Sequence, residues 1–321
     1  MTMTKKPSRI QAALRGAVLL PALAAAAGVM ARTAPHAHAP AWTSSKRLWA
    51  PADLDLTVVL PSYNTGPALT TTVDSLARML QQAGGHFEII VVSDGSTDGC
   101  EDEIEAVDPR VRLIHAPENA GKGAALHRGF AAARGRHIAF VDSDGDIAVE
   151  HVVRYWRRAV AGDHHVVYAD KRHDSSRVES TRVRKTLSWG FTTLVGSFFD
   201  LPVRDTQTGC KVFRRDVLAS VLPLLHEKGF SIDLELFVAA HAIGFSDFVG
   251  APVTIGERLA GSTVGSSAVV RTLRESLSVL GRLRFGHAYG RVPVVPMAVV
   301  HEFPAPRNAG HLAVAPLPMA A

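Results

Sequence analysis

Two carboxylates one residue apart, Asp142 and Asp144, sit in the run His-Ile-Ala-Phe-Val-Asp-Ser-Asp-Gly-Asp that spans residues 137–146. They offer hard oxygen donors of the kind that suit Mg²⁺ or Mn²⁺ already carrying a substrate diphosphate. Gly145 leaves the chain room to turn beside them. An Asp-x-Asp alone is equally at home in a solvated turn or a helix cap. Placement favours chemistry here: the apolar run from Ile138 to Val141 reads as a buried strand that delivers the pair at its carboxyl end. In open α/β sheets, ligands bind in the crevice beyond that end.

The elements that must hold this strand are legible around it. Leu56–Leu60 reads as a strand, 67–82 as a helix with Leu69, Val73, Leu76 and Leu80 on one face, and Phe87–Val92 as a second strand. A short helix is expected at 101–107, a strand at Val111–His115, an alanine-rich helix at 122–134, a strand at Val166–Tyr168 and a helix start at 230–236. Strands alternating with helices imply βαβ units, hence an α/β fold with a mostly parallel central sheet flanked by helices. No G-x-G-x-x-G follows the first strand, which ends Pro61-Ser62-Tyr63-Asn64-Thr65-Gly66, and there is no P-loop. That argues against hydride transfer.

Bulk properties narrow the partners. A net charge of +5 is compatible with phosphate-bearing substrates or an anionic lipid surface. No zinc-finger, RNA-recognition or helix-turn-helix pattern accompanies it, so no nucleic-acid partner is expected. Two cysteines, Cys100 and Cys210, give no disulfide framework, which points to a reducing compartment. Residues 1–50 place Lys5, Lys6, Arg9 and Arg15 before an apolar stretch interrupted by Pro21. They read either as a signal-like segment or as a poorly ordered alanine-rich leader. The expected core is 53–286, followed by an irregular tail over 287–321.

Four motifs carry a resemblance: Val58-Val59-Leu60-Pro61-Ser62-Tyr63-Asn64; the run Glu88 to Asp98, which ends Ser93-Asp94-Gly95-Ser96-Thr97-Asp98; Asn119-Ala120-Gly121-Lys122-Gly123; and Asp142-Ser143-Asp144. In this order they resemble family 2 glycosyltransferases, whose GT-A fold is a nucleotide-binding α/β domain. The block Asp205-Thr206-Gln207-Thr208-Gly209-Cys210-Lys211-Val212-Phe213-Arg214 resembles the branch that makes dolichyl- or polyprenyl-phosphate sugars, nearer the glucosyl than the mannosyl enzymes. The likeness spans roughly 55–265. It implies a nucleotide-binding half at 53–146, an acceptor half at 147–265 and a C-terminal helix at 266–286.

The same resemblance assigns roles. Pro61, Tyr63 and Asn64 would pack against base and ribose, and Asp94 would accept hydrogen bonds from them. Asp142 and Asp144, with Asp146 two residues on, would hold Mg²⁺ or Mn²⁺; Asp142 and Ser143 would also face the donor. Gln207 and Asp205 would lie beneath the donor sugar, with Asp205 and Asp233 catalytic and Asp233 the general base. Arg258 and Ser262 would close over the diphosphate, although Thr263 stands where relatives usually carry lysine. Arg172 and Arg184 match positions that contact the acceptor phosphate.

Several residues keep two readings. Lys122 opens a glycine-rich helix entry with free N–H groups and could approach and bind the donor from there, or it is a surface lysine. Asp233 is a base, or an acid favoured by a helix N-terminus. Ser96 and Asp98 read as helix caps. The apolar run 187–201 is a membrane-facing segment or a core helix.

The implied reaction is inverting transfer of a hexose, from UDP-glucose ahead of GDP-mannose, to a polyprenyl phosphate at the cytoplasmic face of a membrane. The alternatives are transfer to a hydroxyl of a glycan, lipid or secondary metabolite, and a non-catalytic nucleotide-sugar-binding protein.

Overall fold

A central sheet takes its strands from both halves of the chain. In the computed structural model the described residues are 52–102, 104–178, 199, 201–256, 266–285 and 288–289. Arg184, Arg258, Ser262, the leader 1–50 and the apolar run 187–201, apart from Phe199 and Leu201, lie outside them.

The first half runs β1 (Leu54–Ser62), α1 (Ala68–Ala83), β2 (Phe87–Asp94), β3 (Val111–Ala116), α2 (Lys122–Ala132) and β4 (Gly135–Val141). The second half contributes α3 (Glu150–Gly162), β5 (Val166–Ala169), β6 (Arg177–Val178), β7 (Cys210–Arg214), α4 (Arg215–Val221), α5 (Ile232–Ala242), β8 (Phe248–Ala251), β9 (Thr254–Ile255) and α6 (Ser266–Arg284). Seven strands pair in the order β3-β2-β1-β4-β7-β5-β8, while β6 and β9 form a separate two-stranded ribbon.

β1 to β4 are mutually parallel where they pair, and β7 is antiparallel to both β4 and β5. That reversal positions the site. It sets Cys210, at the start of β7, opposite Val141, at the end of β4. The loop entering β7 therefore arrives at the same sheet edge as Asp142, and the Asp142 N–H donates to the Gly209 carbonyl at 2.9 Å.

Helices cover both sheet faces, so the inner strands read as nearly unbroken apolar runs. Val59, Ile90, Phe140 and Phe213 pack with Leu126, Phe130, Val217 and Phe237 on one face. Val58, Leu60, Ala139 and Val212 pack with Leu69, Val73, Val152 and Tyr155 on the other. The helix expected at 101–107 reduces to one 3-10 turn, Ile104–Ala106. Its acid Glu101 turns inward and accepts from the Ser93 hydroxyl at 2.6 Å, leaving no amphipathic face to extend. Within the tail expected from 287, Tyr289 is buried.

Candidate active site

The carboxyl ends of β1, β2, β4 and β5 meet the amino end of β7, and four charged side chains alternate there. Lys122 Nζ lies 2.7 Å from Asp142 Oδ1 and donates to Asp233 Oδ2 at 3.0 Å. Lys211 Nζ donates to the other oxygen of Asp233 at 2.5 Å and to the Thr208 carbonyl at 2.9 Å. The chain reads Asp142, Lys122, Asp233, Lys211, from a partly open end to a closed one: Asp142 is 31% exposed and Lys211 fully buried. Both ammonium groups also lie near the Phe140 ring, 5.3 and 4.9 Å from its centroid. Burial alone would lower the Lys122 pKa, but Asp142 and Asp233 outweigh it and hold the ammonium above the ordinary lysine value.

Lys122 is thus no surface lysine, and the glycine-rich motif around it is no open anion cradle. The Gly123 and Ala124 N–H groups at the start of α2 donate to the Lys228 carbonyl at 2.7 and 3.2 Å. Ala120 and Gly121 N–H donate to one oxygen of Asp94 at 3.0 and 2.6 Å, and Arg128 takes the other at 3.0 Å. The two glycines admit protein backbone where a ligand was expected. A Cβ on Gly121 would stand 2.4 Å from the Lys228 oxygen, and one on Gly123 2.4 Å from the Glu227 oxygen. Asp94, expected on base or ribose, is buried and spent on this junction. These contacts tie down the start of α2, which carries Lys122.

The loop after β1 is tied in the same way. Asn64, at φ 48°, accepts from Thr97 N–H at 2.8 Å and donates its own N–H to Ser96 Oγ at 3.2 Å. Gly66 N–H donates to Asp98 at 2.9 Å. Ser96 and Asp98, expected as helix caps, instead brace this loop. Tyr63 is left 52% exposed, an aromatic face available for stacking. Ser143, expected on the donor, is buried and donates to the Pro61 carbonyl at 2.8 Å, joining the ends of β1 and β4.

Asp205 is likewise engaged inside the protein. It accepts from Lys171 N–H at 3.1 Å, Gln207 N–H at 3.0 Å and the Thr208 hydroxyl at 2.6 Å. Burial raises its pKa, but Lys171 and these hydrogen bonds overcome that and hold it below the usual carboxylate value. It organises the loop that delivers Gly209, where an added Cβ would fall 1.7 Å from Asp142 Oδ2. Gln207 is half-buried beside it. Arg172 is exposed beyond β5, its N–H donating to Asp170 at 2.9 Å.

For a metal, the donor set is Asp142 and the exposed Asp144, which accepts from Asp146 N–H at 3.1 Å. Among the described residues Asp142, Asp144 and Asp146 do not draw three ligand atoms within 4.8 Å of one another; Asp98, Cys100 and Glu101 do. The expected three-carboxylate set is therefore not assembled. Two carboxylates still fit Mg²⁺ or Mn²⁺, which complete their shells with phosphate oxygens and water.

Sequence reasoning missed Lys211. Its signal was a lone lysine in the otherwise apolar run Cys210-Lys211-Val212-Phe213.

The chain matches glycosyl transferase family 2 over residues 57–222. It is 30% identical over 215 residues to the dolichyl-phosphate beta-glucosyltransferase of Saccharomyces cerevisiae, covering 59% of this chain and 63% of that protein. The Drosophila melanogaster protein of the same name is 31% identical over 209 residues, covering 58% and 63%. The chain thus spans a little under two thirds of the length of these curated relatives. Among solved structures, glucosyl-3-phosphoglycerate synthase from Mycobacterium tuberculosis with UDP superposes at TM-score 0.56 and 20% identity, over 80% of this chain and 87% of that one. The same synthase with Mn²⁺, UDP-glucose and phosphoglyceric acid gives TM-score 0.55 at 20% identity, over 80% and 86%. That likeness establishes the fold. With the Asp142-Ser143-Asp144 strand end, the reversed β7 and the matched span in hand, the chain belongs to glycosyl transferase family 2.

Proposed function

We propose that this chain transfers glucose from UDP-glucose to a polyprenyl phosphate by a single in-line displacement. The state of Asp233 carries the choice of acceptor: it is buried, with a lysine on each oxygen. A carboxylate engaged in this way is badly placed to take a proton from a sugar or lipid hydroxyl. A phosphate monoester needs no base, since its second pKa of about 6 leaves it largely dianionic near neutral pH. The names of the yeast and Drosophila relatives support the same sugar and acceptor.

In this reading 53–146 forms the donor half and 147–265 the acceptor half. Tyr63 and the braced Asn64 loop receive the base and ribose. Lys122 stands beside the departing diphosphate, where negative charge accumulates. Asp142 and Asp144 would hold the metal, which when bound offsets that same charge. Arg172 would orient the acceptor phosphate, with Arg184 serving the same end and Arg258 and Ser262 the diphosphate. An acceptor oxygen forms the new bond to the anomeric carbon as the bond to UDP breaks. The electron pair leaves with the diphosphate, so an α-linked donor gives a β-linked product. Among the described residues no helix is long and apolar enough to cross a membrane. The lipid acceptor would be met at the bilayer surface, on the cytoplasmic side where nucleotide sugars are made.

The test incubates the full chain with labelled UDP-glucose, a polyprenyl phosphate and Mg²⁺ or Mn²⁺, and follows label into the organic phase. GDP-mannose and EDTA samples run alongside. Metal-dependent transfer from UDP-glucose is the expected result. Donor binding with no lipid product would overturn the acceptor assignment and direct attention to hydroxyl acceptors.

A further inference from the structure

Lys211 lies on a central strand with Cys210, Val212 and Phe213 buried around it, and is itself fully buried. An ammonium in that position survives only if it is paired and hydrogen-bonded. Its partners are the Asp233 carboxylate, the Thr208 carbonyl and the Phe140 and Phe237 rings, whose centroids lie 4.9 and 5.8 Å away. It meets no solvent, and the charged group it bonds is Asp233, which in turn bonds Lys122 at the crevice.

We infer that Lys211 is a positioning residue: it fixes Asp233 as a bridging counter-ion, and through Asp233 it sets where Lys122 stands at the donor site. Two carboxylates and two ammonium groups alternate along this chain and their formal charges cancel. Removing Lys211 leaves Asp233 with one cation. Lys122, now 2.7 Å from Asp142 and 3.0 Å from Asp233, is then drawn toward Asp233, and one negative charge stands uncompensated beside the crevice. A diphosphate would feel both changes. Removing Lys211 and Asp233 together deletes a neutral pair and leaves Lys122 on Asp142. The inference rests on reading the crevice as the donor site, and it is independent of the acceptor.

The experiment measures UDP-glucose affinity calorimetrically with Mg²⁺ on the full chain, for wild type, Lys211→Met, Asp233→Asn and the double variant, with far-UV circular dichroism confirming the fold. One uncompensated charge at roughly 8 Å and an effective dielectric near 20 should weaken Lys211→Met by about 10- to 30-fold. The double variant should return to within about threefold of wild type, because the two residues act as a unit. A purely structural role for Lys211 predicts no such recovery in donor affinity, and a proton-accepting Asp233 predicts a double variant as inactive in transfer as Asp233→Asn. Wild-type affinity in Lys211→Met, or a double variant weaker than Lys211→Met, overturns the inference while leaving the donor site standing. A wild type that binds no UDP-glucose overturns both. Should Lys211→Met not fold, the double variant decides alone: affinity within about threefold of wild type supports the inference, and a loss of tenfold or more overturns it.

Discussion

Asp233 and Glu235 lie two residues apart in the first turn of α5, both buried, and they serve opposite purposes. Asp233 faces the sheet, where its partners are two lysines. Glu235 faces away, accepting from the His226 and Glu227 N–H groups at 2.9 and 2.7 Å, from the Tyr289 hydroxyl at 2.8 Å and from Arg282 at 3.2 Å. Arg282 also bonds Glu227, so this second cluster fastens α6 and Tyr289 onto α5. Lysine is a compact charge on a flexible stem, whereas arginine and backbone N–H groups fix geometry. The Asp233 cluster ends at the partly exposed Asp142, so one end of it meets solvent. The Glu235 cluster is closed and holds. One helix start thus separates a half-open charged network from a closed clamp.

If the half-open network serves transfer as proposed, the largest effect comes from that side. Lys122→Met should lower metal-dependent transfer by about 10²–10³-fold, the usual loss when one donor to developing charge is removed. Steady-state kinetics with UDP-glucose would check this, and a loss under fivefold would mean that Lys122 does not face the diphosphate. Glu235→Gln should do the reverse. Breaking a buried charged cluster costs about 3–5 kcal/mol, or a melting temperature lower by roughly 6–15 °C. Donor affinity, measured well below that temperature, should stay within about twofold of wild type, since the side-chain partners of Glu235 are Arg282, Tyr289 and His226 and those of Asp233 are Lys122 and Lys211.

Gly123→Ala tests where the two clusters touch. Its Cβ would stand 2.4 Å from the Glu227 oxygen and 2.8 Å from the Lys228 carbonyl carbon, so backbone must shift. Overpacking of this kind costs about 1–3 kcal/mol. Because Lys122 is the adjacent residue, donor affinity should fall with stability here, in contrast to Glu235→Gln. Parallel melting and calorimetry would show whether both readouts move together.

The strands of the first half were largely legible in the sequence because they carry strong local signals. Apolar runs predicted β1, β2, β3 and β4 to within a few residues, and the Asp142-Ser143-Asp144 turn directly follows β4 as expected. Partners across the fold were not legible. Asp94, Ser143 and Asp205 have the residue types that bind ligands, yet each is engaged by a group far along the chain: Asp94 and Asp205 accept from backbone N–H groups, and Ser143 donates to the Pro61 carbonyl. Nothing local reveals that the Lys228 carbonyl caps α2, since the two segments meet only when α2 and α5 pack. Lys211 was hidden for a related reason: its meaning depends on the reversal of β7, and strand direction is a property of the sheet as a whole.

The smallest effect separates the clusters by pH. His226 is half-exposed, and the Glu235 carboxylate 3.7 Å from its ring raises its pKa above the usual histidine value, burial opposing. A raised folded pKa stabilises fully below the unfolded value of about 6.5, and that stabilisation is lost as pH rises through the folded value. Being half-exposed, the pair is worth well under about 1 kcal/mol. His226→Gln should therefore melt about 1–2 °C below wild type near pH 6 and match it near pH 9. Lys122 is held above the ordinary lysine value, so it keeps its charge across this whole range. Donor affinity should accordingly be the same in wild type and His226→Gln at both pH values, while melting differs only at the lower one. If donor affinity instead follows His226, the charge on Glu235 is felt at Lys122 through the 226–228 turn that caps α2. The two carboxylates of α5 would then belong to one network, and the separation argued from their partners would fail.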